Sequence, residues 1–380
     1  MKRFHILLFG LILLTACTAV KAIRCGSPTF DTYLNFPIDT VFVNDTVKSV
    51  LIVTPAHNRY FENSKFTGGG MHDETIDEFF GRVRGKGALL IVRNDTVMLE
   101  KYYGGFQSRT PSNIFSVSKA VTSLLCGIAV DEGLIGISDP VIKYIPELAS
   151  ADPAFKDLTI EHLLDMRTGL DFKEDYSWNP FSKTARLYYG EDIVGMIKKL
   201  HFADPPGTRH YYNSMATAIL GVALERAVGI PFALYLEEKI WKPLDMETDA
   251  YVSLDDDHSR HAKAYGGIVT NVRDLAKIGR LYLNGGVYDG KRIVSKRWID
   301  RSTHAALDNE AYSLGWNSII SRKDGVDYVT SRFFAIGLFG QVLFCDPEQN
   351  LIFVTLGEKK GCEYHLLFDD ICRLLSKDHE

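Results

Sequence analysis

The sequence has little of several things, and each shortage excludes a class of function. It has only six cysteines in 380 residues, none in a Cys-x-x-C pair, so no zinc site is expected. It has no excess of positive charge: 43 basic residues face 48 acidic ones, for a net charge of −5. Without a basic run there is no electrostatic footing for nucleic acid, and no nucleic-acid partner is expected. Low-complexity tracts and internal repeats are missing, which removes solenoids and arrays. No Walker, G-x-G-x-x-G, G-x-S-x-G or H-E-x-x-H pattern occurs, so neither a nucleotide nor a metal cofactor is implied. The acids and histidines of Asp255 to His261 stand alone and read as a solvated loop.

What is present suits a globular protein. Apolar residues make up 46% of the chain and charged residues 24%. The first residues read as an export signal: Lys2 and Arg3, then an apolar stretch from Ile6 to Leu14, too short for a stable membrane-spanning helix. It ends in Leu14-Thr15-Ala16-Cys17, which resembles a bacterial lipobox. That resemblance implies lipidation of Cys17 and residence in the cell envelope, anchored to the membrane by lipid. A plain signal peptide that happens to contain a cysteine is the alternative. Cys25, Cys126, Cys345, Cys362 and Cys372 remain, an odd set with at least one free thiol. Cys126 falls on an apolar helix face, and Cys362 with Cys372 could bond in an exported protein.

Three segments are expected along the chain. Residues 1–17 form the signal and 18–80 an extension. In that extension Thr40 to Val43 and Val47 to Val53 flank an Asn44-Asp45 turn, which suggests a hairpin. Residues 81–380 form the main domain. It opens with a second hairpin, Ala88 to Arg93 and Thr96 to Tyr103 around Asn94-Asp95. Val117, Ala120, Val121, Leu124, Leu125 and Ile128 then recur on one face of a helix that Gly133 stops. Shorter helical patterns cover 159–166, 191–200, 216–228 and 272–283. Strand-like runs cover 312–320, 326–334, 341–345 and 351–356, followed by a helix over 364–375. Strands at both ends with helices between predict an α+β fold, its sheet built from the two chain ends.

The strongest chemical signal is Ser116-Val117-Ser118-Lys119 at the opening of the long helix. Residues three apart on a helix share a face. A serine at a helix start lies at the positive end of the dipole. A lysine on so apolar a helix is desolvated, which favours its neutral form. A neutral amine one turn away can take the serine proton. By itself S-x-x-K is a weak motif, equally consistent with a capping serine and a solvated lysine.

The context strengthens it. The segment FSVSKAVTSLLCGIAVDEGLIGISDPVIKYIPEL closely resembles the nucleophile helix of class C β-lactamase-like serine hydrolases. Further blocks follow in that family's order: TIEHLLDMRTGL from Thr159, Pro206-Gly207-Thr208 before Tyr211-Tyr212-Asn213-Ser214, and Trp241 to Met246. Gly266-Gly267, Asp289-Gly290-Lys291, Leu314-Gly315-Trp316 and Gly340-Gln341 with Asp346-Pro347-Glu348 complete the series. The likeness spans about residues 85 to 375. It leans towards the branch with the 6-aminohexanoate-oligomer hydrolases and related esterases. It implies a β-lactamase/transpeptidase-like fold, an antiparallel sheet flanked by helices, with a helical subdomain.

The resemblance also implies residue roles. The family's Tyr-x-Asn motif admits two registers. Tyr211-Tyr212-Asn213 fits literally, whereas an ungapped count between the flanking blocks puts Tyr212 on the proton-relay position and Ser214 in place of the Asn. The ungapped register is preferred. The Lys-Thr-Gly motif is missing, and Arg332-Phe333-Phe334 stand in its place. Ala335 follows, where the family supplies a backbone N–H to the oxyanion hole beside that of Ser116. Arg332 could hold a substrate carboxylate or face solvent at a strand edge. Phe333 and Phe334 would make the pocket apolar. The expected activity is hydrolysis of small esters, amides or peptides through an acyl-enzyme on Ser116. A β-lactamase or D-alanyl peptidase is the first alternative, and a catalytically silent envelope lipoprotein that binds peptides is the second.

Overall fold

The computed structural model describes residues 18–47, 51–53, 61, 63–83, 85–177, 179–359 and 363–376. The elements that build the site follow in chain order. The strands are β1 (Ile38–Val41), β2 (Ile52–Val53), β3 (Gly87–Arg93), β4 (Thr96–Tyr103) and β5 (Ser112–Asn113). They continue as β6 (Ala250–Ser253), β7 (Ile268–Thr270), β8 (Tyr312–Ser313) and β9 (Trp316–Lys323), then β10 (Val326–Gly337), β11 (Gln341–Asp346) and β12 (Leu351–Gly357). The helices are α1 (Ser118–Asp131), α2 (Ile160–Leu164), α3 (Ser214–Val228), α4 (Val272–Leu283), α5 (Lys296–Thr303) and α6 (Tyr364–Ser376).

The main sheet has eight strands in the order β8-β9-β10-β11-β12-β3-β4-β2. Its centre joins the two ends of the domain, because β12 pairs antiparallel with β3 from Leu351 opposite Arg93 to Gly357 opposite Gly87. This is the expected α+β arrangement. Both faces of the sheet are covered, which explains why β11 and β12 are buried at every position. One face packs on α4, whose Leu275, Ile278 and Leu281 join the larger core with Leu343, Ile352 and Val354. The other face packs on α6, where Phe368 stacks on Phe344 with ring centroids 4.8 Å apart.

A second, four-stranded sheet runs β1-β6-β7-β5 and leads directly into the helical region. It corrects the first hairpin expectation. β1 pairs not across Asn44-Asp45 but with β6, Ile38 opposite Ser253, and β2 pairs in parallel with β4. A local Asn-Asp turn signal was outcompeted by long-range pairing, which buries Val41 completely. Asp255 is also not part of a solvated loop. It is wholly buried and accepts the N–H groups of Ile193 at 3.0 Å and His261 at 2.8 Å, pinning the segment after β6 to the helical region.

Cys126, Cys345 and Cys372 are buried free thiols, and Cys25 is free and half-buried. Cys17 and Cys362 lie outside the described residues.

Candidate active site

Ser116 lies in a 3-10 turn, Phe115–Val117, that runs straight into α1. The turn is strained. Phe115 holds a left-handed φ of 46°, which a bulky residue adopts only when its surroundings impose it. Asn113 imposes it by accepting the Phe115 N–H at 2.9 Å, while the Phe115 ring packs edge-on against Phe339. The edge of β10 closes the other side. A Cβ on Gly337 would stand 2.5 Å from the Ile114 carbonyl oxygen, so only glycine allows this approach.

Lys119 follows one helical turn later and is 3% exposed. Its Nζ lies 3.0 Å from Ser116 Oγ and 3.0 Å from the carbonyl oxygen of Tyr265. Burial lowers its pKa to about 8, and the Glu174 carboxylate pulls in the opposite direction. A neutral lysine has two N–H donors and one lone pair. Donating to the Tyr265 carbonyl leaves the lone pair free for the hydroxyl proton of Ser116. Gly315, at φ +87°, lets the β8–β9 turn press onto this helix, since a Cβ there would meet the Lys119 carbonyl at 2.9 Å.

The structure separates the two tyrosines. Tyr212 lines the cavity with Ser116 and Lys119, and the Lys119 ammonium position is 5.0 Å from its ring centroid. Burial first, then Glu174, hold the Tyr212 phenol well above its ordinary pKa, while a hydrogen bond with Ser116 works the other way. Tyr211 is 39% exposed and does not line the cavity. Asn213 is committed to the fold: its Oδ1 caps α3 by accepting the Ala216 N–H at 2.9 Å. The Asn of the literal Tyr-x-Asn register is therefore occupied as a helix cap. Ser214 is the first residue of α3, and its N–H donates to Glu174. It borders a small recess next to Ser116 rather than the main cavity.

That cavity has a volume of about 420 Å³. Its walls come from Tyr176, Tyr312, Ile336, Leu338 and Phe339, with Ala335 at the base. β9 pairs with β10 only as far as Asn317 opposite Phe334, so the β10 edge from Ala335 to Gly337 is left to border the cavity. Among the described lining residues, Lys119 is the one side chain that can carry a charge near neutral pH.

Arg332 is not in this cavity, contrary to the carboxylate-binding expectation. Its guanidinium is engaged by Asp346 at 2.9 Å and Asp369 at 2.7 Å, against α6 on the other side of the sheet. Phe333 and Phe334 do not line the cavity either. Phe333 packs on Trp316 in the core, and Phe334 packs on Phe344 beneath α6. Counting back along the strand located β10 but could not fix which side chains reach the pocket. Sequence reasoning also missed Glu174, Tyr176 and Tyr312. Tyr312 had a signal, the Leu314-Gly315-Trp316 block beside it. Glu174 and Tyr176 lie just after the TIEHLLDMRTGL block, which gave them no role.

Residues 72–363 match the family model described as Beta-lactamase. The chain belongs to the beta-lactamase family. It is 28% identical over 296 residues to the 6-aminohexanoate-dimer hydrolase of Paenarthrobacter ureafaciens, covering 71% of each chain. Its fold superposes on a Bacillus anthracis protein assigned as a 6-aminohexanoate-dimer hydrolase, with a TM-score of 0.73 and 20% identity over 92% of this chain and 91% of that one. A family VIII carboxylesterase superposes with a TM-score of 0.58 and 19% identity, over 81% and 93% of the two chains. The family's members are serine hydrolases acting on amide and ester bonds, and this chain is a hydrolase of that kind.

Proposed function

We propose that this hydrolase cleaves neutral esters and small amides, with Ser116 as nucleophile, Lys119 as general base and Tyr212 as proton relay. The observation that carries the reading is the buried Lys119 Nζ, 3.0 Å from Ser116 Oγ at the floor of a cavity with no second cation among its described lining residues. Ser116 Oγ attacks the carbonyl carbon as its proton passes to the Lys119 lone pair. The oxyanion is held by the backbone N–H groups of Ser116 and Ala335, the latter supported by the open β10 edge. Tyr212 or Lys119 returns the proton to the departing alkoxide or amine. Water then attacks the acyl-enzyme by the reverse relay and frees the acid.

The absence of a cation bears on substrate class. With Arg332 held by Asp346 and Asp369, nothing in the described cavity pairs with a β-lactam or peptide carboxylate. Small esters should therefore outperform penicillins and cephalosporins. Intact-mass labelling tests both halves of the reading. A fluorophosphonate should add one adduct that Ser116→Ala lacks, and benzylpenicillin should add little. Rapid, stoichiometric acylation by the penicillin would promote the β-lactam reading instead.

The cellular setting we propose is the envelope, with Cys17 lipidated. The support is the lipobox-like Leu14-Thr15-Ala16-Cys17 behind a basic, apolar start. Cys17→Ser should release an exported chain from the membrane fraction, and unchanged fractionation would point to another attachment.

A further inference from the structure

The cavity wall built by β8 and β9 carries polar groups that the hydrolytic relay does not use. Tyr312 is 2% exposed, yet it lines the cavity. Its hydroxyl is buried and has no hydrogen-bond partner among the described residues. A buried hydroxyl left unpaired costs about 1–3 kcal/mol, so its presence needs an explanation. The ring itself is fixed: it stands edge-on to Tyr212 at 6.2 Å and lies 5.3 Å from the His210 ring. The backbone is fixed too, because the Tyr312 carbonyl accepts from Asn309 Nδ2 at 2.7 Å. Burial, then Tyr212, Asp165 and Glu174, keep the phenol protonated and hence a donor.

Directly opposite Tyr312 across the β8–β9 pair stands Asn317. Opposed residues share a face of a strand pair, with Cβ atoms about 5 Å apart. Asn317 also lines the cavity, and its amide bonds to no described residue. Phenol and amide therefore stand side by side, one donor next to a group that both donates and accepts. The remaining wall, Tyr176, Ile336, Leu338 and Phe339, is apolar or aromatic.

The geometry points to a subsite, formed by Tyr312 and Asn317, that binds a second, non-reacting amide group of the substrate. A secondary amide presents one carbonyl acceptor and one N–H donor, and the pair offers the complement of each. The inference rests on the hydrolase reading above and adds a preference within it. The favoured substrate is an ester or amide that carries another neutral amide along an apolar chain.

The test compares p-nitrophenyl ω-acetamidoalkanoates with p-nitrophenyl alkanoates of matched length, over a series of chain lengths. A site built to hydrogen-bond a substrate group penalises the analogue that lacks it. At one or more lengths the wild type should favour the amide-bearing ester. Tyr312→Phe and Asn317→Leu should each cut that ratio of kcat/KM by about 10-fold. A wild-type ratio near one at every length overturns the subsite, and so does a ratio that both variants leave unchanged even as absolute rates fall. Ser116→Ala, assayed alongside, separates the two failures. Turnover that survives in Ser116→Ala sinks the acyl-enzyme reading, whereas a flat ratio with Ser116→Ala inactive sinks the subsite alone. The two substitutions sit on different strands and differ in burial, so a folding defect in one leaves the other as a test.

Discussion

Three lysines among the described residues are almost wholly buried, and only one of them is placed to do chemistry; Lys277 is taken up by Glu247 at 3.5 Å, which leaves Lys119 and Lys263 to compare. Lys119 on α1 is 3% exposed and Lys263, between β6 and β7, is 1% exposed. Burial lowers both, Lys119 to about 8 and Lys263 to about 7. By that measure Lys263 is the more perturbed. Its Nζ, however, donates to the Gly190 carbonyl at 3.1 Å and lies 5.0 Å from the centroid of the Phe36 ring. A carbonyl has no proton to give up. Lys119 instead faces a hydroxyl at the same kind of distance, and that hydroxyl opens into a cavity. A shifted lysine marks burial; chemistry needs an acidic proton within reach and a path for substrate.

The largest expected effect tests that contrast directly. Ser116→Ala and Lys119→Ala should each cut p-nitrophenyl ester turnover by about 1,000-fold or more, as loss of a nucleophile or its base does. Lys263→Met should retain turnover. Steady-state kinetics at pH 8, with circular dichroism to confirm folding, measure all three. Near wild-type rates in Lys119→Ala, or a collapse confined to Lys263→Met, would reverse the roles drawn from the geometry.

A smaller effect separates Tyr212 from Tyr211. Tyr212→Phe removes the hydroxyl that faces Ser116 and should slow acyl transfer about 100-fold, the usual scale for a positioned proton relay. Tyr211→Phe alters an exposed ring and should cost far less. A greater loss at Tyr211 would mean that the cavity seen here is not the one that turns over.

The contrast also shows what a sequence can and cannot convey. Ser116, Lys119 and α1 were legible because they sit on one periodic helix, where spacing alone sets side-chain neighbours. The β3–β4 hairpin and the C-terminal strands were legible for a similar local reason, alternation between turns. Tyr212 was reachable by counting between blocks. Arg332 was not, because a strand residue faces one side or the other of a twisted sheet, and it turned towards Asp346 and Asp369. Lys263 left no trace, since its burial is made by Phe36 and Gly190, distant in sequence. The β1–β6 pairing was hidden for the same reason. Local signals encode local geometry, and partners about 200 residues apart must be found by packing.

Stability gives the next contrast. Lys263 titrates lower in the folded protein, at about 7, than a lysine does in an unfolded chain, about 10.4. Below pH 7 it is protonated in both states and the folded protein bears the whole cost of a buried charge. As pH rises through 7 towards 10 that cost disappears, because the folded form loses its proton first. Lys263→Met should therefore gain stability over the wild type, by about 2 kcal/mol after loss of the Gly190 hydrogen bond. The gain should be largest at pH 6.5 and shrink by pH 9.5. Urea melts at the two pH values measure it, and a gain that grows with pH would contradict the buried-charge account.

The smallest expected effect concerns the charge beside Lys119 rather than Lys119 itself. The groups around its Nζ come from several elements: Ser116 and Tyr212, the Tyr265 carbonyl, and further out Tyr312 and Glu174. Of these, Glu174 is the acid that acts on both Lys119 and Tyr212, raising each. It is held in place by the Ser214 N–H and the Tyr176 hydroxyl. Lys119 must be neutral to accept the serine proton, so kcat/KM should rise with pH and level off above about 8. Glu174→Gln keeps an oxygen that accepts the Ser214 N–H and removes the negative charge. With that charge gone the ammonium form of Lys119 is less favoured, its pKa falls, and the rising limb moves to lower pH. Activity at pH 6.5 should then increase relative to the plateau. A merely structural Glu174 would lower the plateau and leave the limb where it was. A limb that moves to higher pH would mean that Lys119 is not the group titrating, and the base would have to be sought elsewhere in the cavity.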